Sequence, residues 1–273
     1  MRKYGRTIVI SILILNHVGL SAQDLQLRGV VSGEGKPLPF ATLGILNQNV
    51  GTIADEHGQF ELNIPQAHLQ DTLIVAYLGF KSGALVPALV SSPDRLVVDL
   101  DPDTISLRPV IVWDQKAKSH KIGGKKDGDT FVWVSAKGKG AEVTSLMKPK
   151  WPMHLIRAGV QVYNKTGLPF RLLVNLYEQD ADTGLPGKAL LNREVILKSS
   201  QKEGWVSVDL DQENLVLDHP FFVAFKWIDV ADPRPQIAIN GKLRCFTRYV
   251  ALGEWQEIFH WNIRAEGVRI RRE

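Results

Sequence analysis

The stretch Pro37–Phe60 reads as strand, turn, strand, turn, strand within twenty-four residues, and no other feature constrains the fold as tightly. Ala41, Leu43 and Ile45 alternate with Thr42, Gly44 and Leu46, the period-two pattern of a half-buried strand. Asn47-Gln48-Asn49 supplies turn chemistry, because Asn tolerates positive φ and bonds its own backbone. Asp55-Glu56-His57-Gly58 forms a second turn, with Asp55 placed to accept a backbone N–H and Gly58 placed for a left-handed exit. The same periodicity continues along most of the chain and predicts an all-β protein.

A chain of 273 residues fills one large or two ordinary domains, at roughly 150 residues each. The first 22 residues stand apart. Arg2, Lys3 and Arg6 precede the apolar run Ile8–Leu15, and Ser21-Ala22 offers small residues for cleavage before Gln23, the layout of a secretory signal peptide. The run is shorter than the roughly 20 apolar residues a membrane span needs, so no transmembrane segment is expected in the mature chain. Loss of those three basic residues lowers the net charge from +4 to +1, which removes any charge argument for nucleic-acid binding. Cys245 is the only cysteine, so no intramolecular disulfide forms, and no cysteine stands at the cleavage site to take a lipid anchor. The expected location is the periplasm or the cell surface.

From Leu25 to Val112 about seven short strands succeed one another, including Asp71–Tyr77, Arg95–Leu100 and Leu107–Val112. Many short strands with regular turns argue for a sandwich. Gly29-Val30-Val31, Pro37-Leu38-Pro39-Phe40-Ala41-Thr42, Gly51-Thr52, Asp55–Phe60 and Tyr77-Leu78-Gly79-Phe80-Lys81 form one ordered pattern. That pattern resembles the carboxypeptidase-regulatory-like domain common in exported proteins of Bacteroidota. The resemblance implies a transthyretin-like seven-stranded β-sandwich for residues 23–113. It also implies a non-catalytic module, since such domains accompany peptidases and precede outer-membrane receptors without performing chemistry.

Charge is unevenly distributed beyond that unit. Residues 23–113 carry 5 Lys/Arg against 10 Asp/Glu, residues 114–150 carry 9 against 4, and residues 151–273 carry 16 against 15. Residues 114–130 are polar and glycine-bearing and read as a basic linker, either solvated or an anchor for an acidic surface or anionic glycan. Strand periodicity resumes at Phe131, with Met153–Tyr163, Phe170–Tyr177, Gly204–Leu210, Phe221–Ile228, Leu243–Val250, Trp255–Ile263 and Val268–Ile270 as further strands. The order Gly140-Ala141-Glu142, Gly184-Leu185-Pro186-Gly187, Gly204-Trp205 and Phe221–Trp227 is similar to the region following such domains in small Bacteroidota proteins. It implies a second, jelly-roll-like β-sandwich over residues 131–273.

Catalytic patterns are missing. None of the seven histidines is followed three residues later by Glu, as a zinc carboxypeptidase site requires. Glu257 and His260 have the inverted spacing, but on a strand they point to opposite faces. There is no Gly-x-Ser-x-Gly elbow and no phosphate-binding Gly-x-x-x-x-Gly-Lys-Ser/Thr loop. Glu178, Asp180 and Asp182 alternate as calcium ligands can, yet fall short of an EF-hand and read as a hairpin turn. No cofactor is expected.

Seven tryptophans leave one binding chemistry open, the stacking of aromatic rings on sugars. Trp205 and Trp227 lie in apolar strands and read as core, and Trp133 is ambiguous. Trp113, Trp151, Trp255 and Trp261 have polar neighbours and are the ligand-stacking candidates. The expectation is thus a non-catalytic exported protein that binds or organises an envelope protein, or alternatively a carbohydrate through an aromatic face of the second sandwich. Oligomeric state is not legible.

Overall fold

The computed structural model describes residues 23–103, 117–124, 126–134, 139–229, 234–239 and 243–270. The expected signal peptide over residues 1–22, the strand expected at Leu107–Val112 and Trp113 lie outside these residues. Among the described residues there is no α-helix; the chain is all β, with short 3-10 turns between strands.

The first unit contains β1 (Leu25–Gly33), β2 (Lys36–Pro37), β3 (Thr42–Ile45), β4 (Gly51–Ile53), β5 (Gln59–Ile64), β6 (Leu73–Ala76), β7 (Gly83–Leu85) and β8 (Leu96–Asp99). β1 runs antiparallel to β2 and β5 and parallel to β8, while β4-β3-β6-β7 form a second sheet. Leu27 and Val31 of one sheet meet Leu43 and Val75 of the other in a shared core. The alternation of β5 follows from this packing: Phe60, Leu62 and Ile64 are buried, and Gln59, Glu61 and Asn63 are exposed.

The three strands of Pro37–Phe60 therefore do not form one continuous hairpin series. β3 and β4 form a hairpin, and the Asp55 turn then carries the chain across to β5 in the opposite sheet. One Asp55 carboxylate oxygen accepts the N–H groups of His57 at 2.8 Å and Gln59 at 2.9 Å. Gly58 follows at φ +71, where a Cβ would lie 2.6 Å from the Val31 carbonyl oxygen. A side chain at Gly58 is thus disfavoured by both backbone and neighbour.

The second unit contains β9 (Ser119–Gly123), β10 (Thr130–Val132), β11 (Glu142–Met147), β12 (Met153–Tyr163), β13 (Phe170–Gln179), β14 (Pro186–Ala189), β15 (Val195–Ser199), β16 (Glu203–Asp209), β17 (Val216–Leu217), β18 (Phe221–Trp227), β19 (Gln236–Ile239), β20 (Cys245–Arg248) and β21 (Ile263–Arg269). One sheet is built around β12, with β16 and β17 beside it and β21, β9, β19 and β10 completing it. The other sheet has the order β14-β13-β18-β11-β20, with β15 also on β13. Val160 and Ile263 from the first sheet pack against Val174 and Phe225 from the second, giving a sandwich with one large core.

Two sequence expectations need correction. The segment read as a linker contributes β9, which pairs with β21 from Ser119↔Val268 to Gly123↔Arg264. Its polar composition suits a strand with few core contacts, of which Ile122 makes one, and lysines are a usual feature of sheet edges. Conversely, Trp255–Ile263 is not a continuous strand. It makes only the isolated bridges Thr247↔Gln256 and Ile239↔Trp261, and Phe259 between them sits at φ +58. Glu257 and His260 consequently diverge, Glu257 to Arg244 and His260 to the Leu243 carbonyl.

Candidate functional site

All seven residues of β18 are buried, although only one face of that strand lines the sandwich core. On the opposite face Phe222 packs with Leu146 and Phe246 of its own unit, while Lys226 meets the first unit. Phe40 and Ile53 of the first unit form an apolar cluster with Leu173, Ile228 and Ala251 of the second. At the tip of the β3–β4 hairpin, Asn47 at φ +58 donates its N–H to the Leu252 carbonyl at 3.1 Å. The backbones approach too closely for side chains: a Cβ on Gly51 would lie 2.0 Å from the Ala251 carbonyl oxygen, and one on Gly44 2.6 Å from it. Phe40 itself adopts φ +59, an unfavourable conformation for a bulky residue. Its ring packs in this interface, with the Arg171 guanidinium 5.6 Å from its centre.

Beside that cluster lies a buried group of charges. Strand register sets Lys226, Glu142 and Arg248 side by side across β18, β11 and β20. Glu142 is fully buried and accepts hydrogen bonds from Arg248 Nε at 2.8 Å, Asn175 Nδ2 at 2.6 Å and the Tyr177 hydroxyl at 3.0 Å. Arg248 Nη2 also bonds Glu142. Lys226 Nζ lies 3.9 Å from Glu142 and reaches across the interface to Thr42 Oγ1 at 3.3 Å. Burial opposes ionisation of Glu142, but the adjacent Arg248 and Lys226 hold its carboxyl below the usual range. For Lys226 burial wins, pushing the ammonium down to about 8 despite Glu142.

Two further links cross the interface. Tyr77, just beyond β6, is hydrogen-bonded to Glu194, whose carboxyl burial raises to about 7 against the opposing effects of Tyr77 and Lys226. Arg171 is held through Nε by Asp229 at 2.9 Å and pairs with Glu56 of the first unit. Asp55, Glu56 and His57 thus have separate roles. Asp55 closes a turn, and Glu56 joins the two sandwiches.

This docking surface belongs to a region with a family match. Residues 27–112 match the family described as the CarboxypepD_reg-like domain. The chain carries a CarboxypepD_reg-like domain over those residues. No curated protein matches it. The CarboxypepD_reg-like domain supplies Phe40, Thr42, Asn47, Ile53, Glu56 and Tyr77 to the interface, all from its β3-β4-β6 side or the adjoining turns.

The stacking candidates have different fates. Trp261 is 1% exposed, and its indole N–H donates to Thr247 Oγ1 at 2.9 Å, so it is a core residue and not a stacking platform. Trp255 is half-buried, with Arg248 4.3 Å above its ring and Tyr177 edge-on at 6.2 Å. It therefore covers the buried charge cluster. Trp151 is half-buried with His120 edge-on at 5.2 Å and Arg269 5.6 Å from its ring centre. Trp113 lies outside the described residues. Trp227 is core, as expected, whereas Trp205 is half-buried, with Arg264 3.8 Å from its ring centre and its N–H on Asp127. Trp133 is 46% exposed.

The acidic hairpin also resolves into local structure. Asp180 accepts the Thr183 N–H at 2.8 Å and its hydroxyl at 2.7 Å, which hold its carboxyl below the usual range. Sequence inspection missed the Lys226–Glu142–Arg248 row. Its available signal was a charge placed within the otherwise apolar strands Phe221–Trp227 and Leu243–Val250.

Proposed function

We propose that the protein is a non-catalytic, exported binding protein whose two sandwiches form a single rigid platform for an envelope partner. The observation carrying this reading is the docked face where Lys226, set beside Glu142 in the second sandwich, reaches Thr42 of the CarboxypepD_reg-like domain next to the cluster of Phe40, Ile53 and Ala251. Separating the sandwiches exposes Phe40, Ile53 and Ala251 and removes the Thr42 partner of Lys226. Both losses oppose free hinge motion, so surface on the two units is held in a fixed relation. Export is supported by Arg2, Lys3 and Arg6 ahead of Ile8–Leu15 and by the small residues Ser21-Ala22.

The test is cross-linking in intact cells, followed by fractionation and affinity capture of the chain. The expected result is recovery in the envelope fraction with one specific envelope protein. Retention in the cytosol, or capture of nothing above a tagged control, overturns the proposal.

A further inference from the structure

We propose that the surface around Trp151, formed with Lys118, His120, Lys148, Lys150 and Arg269, binds a polysaccharide bearing uronic-acid carboxylates. This names a ligand class for the binding-protein reading and rests on that reading. Its residues come from distant parts of the chain. The pairing of β9 with β21 places Ser119 opposite Val268 and His120 opposite Gly267, so the start of β9, which Lys118 precedes, lies at the Arg269 end of β21. Met153 pairs with Arg269, and the Ile270 N–H donates to the Pro152 carbonyl at 2.9 Å, so the end of β21 lies against the Trp151 segment. Lys148 and Lys150 flank that segment in the chain and are exposed.

Several arginines elsewhere are neutralised. Arg28, Arg157, Arg171, Arg193, Arg244 and Arg248 each face a carboxylate. Among the described residues, Lys118, Lys148, Lys150 and Arg269 have no carboxylate within ion-pair distance, leaving a local positive field. At its centre is the indole of Trp151, held edge-on by His120 and contacted by Arg269. The electron-rich face of an indole suits the C–H face of a pyranose, as it suits other positively polarised groups. Carboxylates on the sugar then meet the surrounding ammonium and guanidinium groups as charge-assisted hydrogen bonds.

Other polymers fit less well. Duplex nucleic acid, with one charge per roughly 1.7 Å of axis, favours an extended basic track over a patch centred on one ring. Protein interfaces are depleted in lysine at their cores and rely on apolar anchors, whereas here two exposed lysines precede the tryptophan in the chain.

The probe is polygalacturonate, titrated into the full chain while tryptophan fluorescence and calorimetric heat are followed. Dextran serves as the neutral polymer and single-stranded DNA as the competing polyanion. Binding to polygalacturonate is expected, weakened by salt and reduced about tenfold or more by Trp151→Ala, the scale of lost aromatic stacking. Arg269→Gln and the double variant Lys148→Gln/Lys150→Gln should weaken it while retaining the wild-type circular dichroism spectrum. Trp133→Ala, at a tryptophan outside the patch, should bind as wild type. Absence of polygalacturonate binding, equal binding in Arg269→Gln, or equal or tighter binding of dextran or DNA overturns the assignment. None of these failures alters the cellular cross-linking result, so the platform reading is judged separately.

Discussion

Glu142 and Arg248 meet as a buried ion pair, with Arg248 Nε 2.8 Å from the Glu142 carboxylate and Trp255 stacked over Arg248. Buried ion pairs are poor net stabilisers, because desolvation offsets much of their attraction, but breaking one leaves an uncompensated charge. Glu142→Gln leaves both Arg248 and Lys226 facing a neutral amide. It should lower stability by about 3–5 kcal/mol. Urea denaturation measures this, and a loss below about 1 kcal/mol would show that water reaches the cluster.

The interface should also shape the dependence of stability on pH. Glu194 has a folded-state value of about 7 against an ordinary 4.5, so its stabilising contribution is complete below 4.5 and is lost as pH rises to about 7. Lys226 has about 8 against 10.5, so its contribution is complete above 10.5 and is lost as pH falls to about 8. Together they produce a stability minimum between about 7 and 8. Thermal melts across pH should show it, and Glu194→Gln should flatten the limb between 4.5 and 7. An unchanged limb in that variant contradicts the assignment.

Gly51→Val tests whether the two units form one body. The added Cβ alone would stand 2.0 Å from the Ala251 carbonyl, and neither partner is a flexible side-chain end. Overpacking of this kind typically costs about 1–3 kcal/mol. Small-angle scattering should report a larger radius of gyration, with far-ultraviolet dichroism unchanged. A variant as compact as wild type would show that the interface yields locally.

Trp261→Ala should behave as a core deletion. The side chain is 1% exposed and its N–H is satisfied by Thr247, so removal leaves a cavity and an unpaired hydroxyl. A loss of about 3–5 kcal/mol is expected from chemical denaturation. Polygalacturonate binding by the fraction that remains folded should match wild type, in contrast to Trp151→Ala.

Legibility in the sequence followed the range of the forces involved. The β5 alternation, the Asp55 turn and the left-handed Gly58 depend on neighbours a few residues away, and the residues state them directly. Trp255 and Trp261 resemble each other locally, with polar residues beside both. Their separation depends on which residues fold over them: Trp261 meets Thr247, while Trp255 meets Arg248 and Tyr177. The Lys-rich segment after residue 113 presented a similar ambiguity. Its low apolar content is equally compatible with a solvated connector and with the edge strand β9, and only the availability of β21 as a partner decides between them.

Sequence alone thus determined the all-β class, the CarboxypepD_reg-like pattern and the hairpin that begins at Thr42, because period-two burial and turn residues are local properties. Tertiary structure decided that this hairpin docks on a second sandwich, that Lys226, Glu142 and Arg248 align across three strands, and that Trp151 acquires basic neighbours. Those relationships depend on strand register and sheet packing between distant segments. A charge within an apolar strand signals that a partner must exist, but only the folded chain identifies it.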